Sequence, residues 1–154
     1  MIVASLPTPS PTEKSKPELV LIENHDTAKI TTYKLARAIY AETGAASLRA
    51  VESLASMIAN LSNKTGRALS DIATDETIFE SLRESSARHQ ALYVDNRTPA
   101  FQMVLRTVRR MIAGQLGDLV RGATRFHHAD AMPDWATAAG YVSEADGLLF
   151  YLQG

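Results

Sequence analysis

Cysteine is absent from this sequence. That excludes a disulfide scaffold, a thiol nucleophile and cysteine-ligated zinc. It leaves the compartment open, because a cysteine-free domain works in reducing and oxidising spaces alike. An excess of charge is also lacking: 16 Lys and Arg stand against 17 Asp and Glu, a formal net charge of −1. Such a balance offers no electrostatic case for nucleic acid or an anionic membrane as partner. No stretch approaches the ~18 consecutive apolar residues of a membrane-spanning helix. Residues 1–7 have no basic n-region and no adequate apolar h-region, so no signal peptide is visible. There is no Gly-x-Ser-x-Gly, no phosphate-binding P-loop, no dinucleotide fingerprint and no internal repeat.

What is present suits one ordinary domain. The chain has 154 residues, 45% of them hydrophobic and 21% charged, enough for a normal core. Pro7, Pro9, Pro11 and Pro17 fall among Ser and Thr in the first 18 residues. That composition reads as an extended tether. Leu19-Val20-Leu21-Ile22 reads as a short strand or a docking segment. The expected division is a tether and lead-in over 1–30 and one domain over 31–154.

Within the domain, hydrophobic spacing predicts a first helix over 33–43, capped by Thr31 or Thr32 and stopped at Gly44. A second starts at Ser47, with a stripe of Leu48, Val51, Leu54, Ala55 and Ile58, and ends by Gly66. Few charges flank it, so contact on two faces is expected. Residues 67–96 are polar, with Ile72, Phe79 and Leu82 anchoring short helices in a long loop. Thr98 and Pro99 open a further helix with the stripe Phe101, Val104, Leu105, Val108, Met111 and Ile112. Arg106, Arg109 and Arg110 fall on its solvated side. Aromatic and Thr-rich segments with Gly and Pro between them predict two or three short strands after Gly122.

Glu42 breaks the pattern of the first helix. Leu35, Ala38 and Ile39 make an apolar stripe whose next member is Glu42. A carboxylate on a buried face is costly unless paired, hydrogen-bonded or protonated. Burial raises its pKa toward the range of a general acid. The competing reading is a helix-end residue that escapes to solvent at Gly44. His127, His128 and Asp130 are the nearest approach to a metal set. Neighbours on a strand point to opposite faces, so only one His would converge with Asp130, and no metal or other cofactor is expected. Trp135, Tyr141, Phe150 and Tyr151 are either sugar-stacking faces or core aromatics of a small sheet.

Several fragments, in order, carry a resemblance. Tyr40-Ala41-Glu42 looks like the Tyr-x-Glu signature of SleB-like cell wall hydrolases, the spore-cortex-lytic enzyme family, and Asn60 falls at that family's interval after its Glu. Gly122-Ala123-Thr124-Arg125-Phe126-His127 resembles its Gly-Ala-Thr-His segment. Pro133-Asp134-Trp135-Ala136 resembles its Pro-x-Trp-Ala, and Gly147-Leu148-Leu149-Phe150-Tyr151 its closing strand. The likeness covers about residues 33–151. Departures are Ala46 in place of a second Glu, Leu61 in place of Arg, and Arg125 and Leu148 in place of His.

The resemblance implies an α+β fold: a mainly helical, lysozyme-like domain with a small C-terminal antiparallel sheet. It implies cleavage of peptidoglycan glycan strands by a lytic transglycosylase with Glu42 as single acid/base. Tyr40, Asn60, Thr124, Phe126, His127 and Tyr151 would then bind substrate. It implies the cell envelope or periplasm, although with no visible signal peptide cytoplasmic retention stays open. Two alternatives remain: a non-catalytic peptidoglycan-binding or regulatory domain of the same fold, which the departures favour, and a muramoyl-peptide amidase, which would need a metal or nucleophile.

Overall fold

A computed structural model describes the backbone of residues 16–152 and the side chains of residues 28–152. The chain divides into two units, 1–31 and 32–154. The described residues of the first unit all belong to helix α1, Lys16–Thr43. Most of the expected tether, residues 1–15, lies outside the described residues. Leu19, Val20, Leu21 and Ile22, readable as a strand, are helical, and Thr31 and Thr32 are interior to the helix rather than its cap. A short apolar run cannot by itself separate strand from helix.

The second unit is α+β. Helix α2, Leu48–Thr65, starts where the sequence places it: Ser47 Oγ accepts the Ala50 N–H at 3.0 Å. It ends at Gly66, whose φ of 74° suits a residue without Cβ. Nine of its residues are buried, from Ala50 round to Leu61, so it is contacted on more than one face. It packs on α3 (Leu69–Ile72), on α4 (Pro99–Ile112) and on the sheet. Phe101, Val104, Leu105, Val108 and Met111 of α4 are buried as expected. Ile112 is not; it sits exposed at the last turn of the helix. Ile72 and Phe79 do anchor the long segment between α2 and α4, which also holds two short 3-10 turns, Glu80–Leu82 and His89–Tyr93.

Among the described residues, three antiparallel strands form one sheet: β1 (Arg125–His128), β2 (Tyr141–Ala145) and β3 (Leu148–Tyr151), in the order β1-β3-β2. Asp146 and Gly147 both have positive φ, the conformation of a tight two-residue hairpin. Ser47 hydrogen-bonds Asp146, and the Arg49 guanidinium donates to the Glu144 carbonyl at 2.9 Å. These bonds pin the hairpin to the start of α2. On β1, Phe126 pairs with Phe150 and His128 with Leu148, and these residues look toward the helices. His127 points the other way, toward Tyr151.

Candidate acid–base site

The stripe that Glu42 interrupts is a buried one: Leu35, Ala38 and Ile39 are fully buried and Glu42 is 3% exposed. It stays buried because two partners occupy its oxygens. The Ser81 N–H donates to Oε2 at 2.8 Å. His128 Nε2 lies 2.6 Å from Oε1. Helix α1 ends one residue later, as Gly44 turns with φ 64° and closes on the Tyr40 carbonyl at 2.8 Å. The carboxylate therefore stands at a helix terminus, between a loop from the 67–96 segment and the edge strand β1.

Burial, the largest influence on Glu42, pushes its pKa up. The His128 hydrogen bond, the Ser81 N–H, the Ser81 hydroxyl and the charge of His128 pull it down, and together they prevail, so the net shift is downward from 4.5. This corrects the expectation of a raised value. Burial alone would raise it; hydrogen bonds to the charged form reverse the sign. The Ser81 hydroxyl acts from close by without bonding geometry, and its Oγ has no hydrogen-bond partner among the described residues.

Glu42 and His128 share one cleft of about 510 Å³ with Arg88, Asp130 and Asp146. The Glu42 side chain has no exposed surface, whereas that of His128 is 14% exposed. His128 is thus the solvent-facing end of the pair. Its second ring nitrogen has no protein partner among the described residues. A buried carboxylate that orients an imidazole, with a free nitrogen at a cleft, can hold one proton and pass it outward.

The other predicted site residues lie in four places. Thr124 and Phe126 line a second cleft of about 280 Å³. His127 and Tyr151 are buried on the opposite face of the sheet, rings stacked at 5.2 Å, with Trp135 edge-on to both. There His127 Nδ1–H donates to the His128 carbonyl at 2.7 Å, leaving Nε2 to accept from the Tyr151 hydroxyl at 3.0 Å. Asn60 donates to Asp118 and to the Ala123 carbonyl, holding the turn that leads into β1. Tyr40 packs edge-on against Phe101, on another face of α1 from Glu42.

The sequence offers His128 as part of a possible metal set and, beside His127, as one of two neighbours that face opposite ways on a strand, but nothing in it sets His128 against Glu42. Nothing in the sequence marks the Ser81 amide or Arg88. Among the described residues no group of three His, Cys, Asp or Glu side chains could hold a metal ion. No helix among them is long and apolar enough to cross a membrane. Compared with family models, with curated proteins and with solved structures, the chain matches none.

Proposed function

We propose that this chain cleaves the glycan strands of peptidoglycan as a lytic transglycosylase, with Glu42 and His128 as one acid–base unit. The observation that carries the reading is the fully buried Glu42 carboxylate, held by the Ser81 amide and by His128 at the wall of an open cleft. A buried carboxylate hydrogen-bonded to an imidazole at a cleft orients that ring and can exchange a proton with it. The glycan substrate rests on the ordered fragments from Tyr40-Ala41-Glu42 to the closing strand, as does the lysozyme-like description of the fold and a place in the cell envelope.

The chemistry balances with one proton. The protonated unit donates through His128 to the glycosidic oxygen, and the bond to C1 of the muramoyl unit breaks. The unit then takes the proton of the muramoyl 6-hydroxyl as that oxygen bonds to C1. The product is a 1,6-anhydro sugar, no water is consumed, and the pair regains its starting state. A hydrolytic glycosidase would need a second carboxyl, ~5–5.5 Å away if retaining and ~6.5–9.5 Å if inverting.

Digestion of purified sacculi, with mass analysis of the fragments, tests this. Anhydro-muropeptides are expected. Hydrated reducing ends would mean a hydrolase, with Asp130 or Asp146 as the second carboxyl. Free stem peptides would mean an amidase, and no fragments at all a binding module.

A further inference from the structure

The smaller cleft has a chemistry of its own. Its floor is apolar, built from Met57 and Leu61 of α2 and from Ile78. Two guanidinium groups reach it, and they differ in kind. Arg67 is already matched, donating to Asp75 at 2.8 Å. Arg125 is not: it has no ion pair and no hydrogen bond among the described residues. Its guanidinium carbon lies 4.0 Å from the centre of the Trp135 ring. Stacking on an indole fixes the plane of a guanidinium and leaves its edge N–H donors free. Such a fork is matched by a carboxylate, which it binds with two parallel hydrogen bonds.

The two clefts are neighbours along β1. Phe126 lines the smaller one and His128 the larger, and their rings are 5.7 Å apart. Two residues of strand span about 6.6 Å. Residues of the segment between α2 and α4 line both clefts, Thr77 and Ile78 the first and Arg88 the second. A polymer laid along the edge strand would meet both clefts with adjacent units.

We propose that Arg125, held on Trp135, binds a carboxylate attached to a methyl-bearing carbon of the polymer unit next to the one at Glu42 and His128. The methyl group rests on the apolar floor while the guanidinium takes the carboxylate. This rests on the peptidoglycan reading, which supplies two such groups: the lactyl carboxylate of a peptide-free muramoyl unit, and the terminal carboxylate of an alanine-ended stem peptide.

The test is calorimetric binding to the full chain carrying Glu42→Gln, so that ligand is not consumed. The probes are soluble glycan oligomers of one length: peptide-free, peptide-bearing, and each of these with its carboxylates converted to methylamides. The free carboxylate form should bind about tenfold more tightly than its amide. Adding Arg125→Gln should erase that gap, and Arg125→Lys should keep part of it, with melting curves showing both variants folded. A gap in the peptide-free pair alone assigns the lactyl group, and one in the peptide-bearing pair alone the stem terminus. Equal binding of acid and amide, or a gap untouched by Arg125→Gln, overturns the proposal and leaves the peptidoglycan reading standing. No binding of any oligomer overturns that reading, and this inference with it.

Discussion

Glu42 is subject to opposed influences, and the balance between them can be measured. Burial favours the neutral acid, while His128 and Ser81 favour the carboxylate and win. Glu42→Gln keeps the shape and removes the transferable proton. Cleavage of sacculi should then fall by ~10²–10⁴, the usual worth of a positioned acid or base. His128→Asn should cost a similar factor, since the carboxylate has no exposed surface of its own. Near-normal rates in a folded His128→Asn chain would show that Glu42 reaches substrate without it. The same balance has a sign in stability. Glu42 holds its proton less tightly folded than unfolded, so protonation favours unfolding. Its contribution is complete above about pH 4.5 and is lost as pH falls through the lower folded value. Glu42→Gln should flatten the wild-type decline in melting temperature below that pH; an unchanged acid limb would mean that the pair does not bias folding.

Elements decide which side chains can meet. The alternation of β1 sends His128 to Glu42 and His127 to Tyr151, so one pair of adjacent histidines serves two faces. Asn60 shows the same logic on a helix. Its amide ties α2 to the turn before β1, where Asp118 also accepts the Val120 and Gly122 N–H groups at 3.0 and 2.7 Å. Asn60→Ala removes two hydrogen bonds, worth about 1–2 kcal/mol together. A drop in melting temperature of roughly 3–8 °C is expected. Activity measured well below that temperature should fall less than tenfold. A larger loss with an unchanged melting curve would make Asn60 a substrate contact instead of a loop anchor.

On the scale of the whole second unit, no metal is required for the contacts described. His127 and His128 diverge, and Asp130 shares a cleft with only one of them. Chelator treatment should leave both melting temperature and cleavage unchanged. Loss of activity on chelation, with recovery on adding zinc, would redirect attention to His128 and Asp130. Local pattern determined much of this protein. The period of apolar residues and the turn residues Ser47, Gly44, Gly66 and Pro99 located the end of α1, both ends of α2 and the start of α4, because those signals act within a turn or two of chain. Glu42 was legible too, as a carboxylate in an apolar stripe. Its sign was not. Whether it would be neutral or charged depended on Ser81 and His128, and those arrive from 39 and 86 positions away. Tertiary structure also parted the residues after Gly122 into two clefts and a buried aromatic cluster, because the face a strand presents is settled by what it packs against.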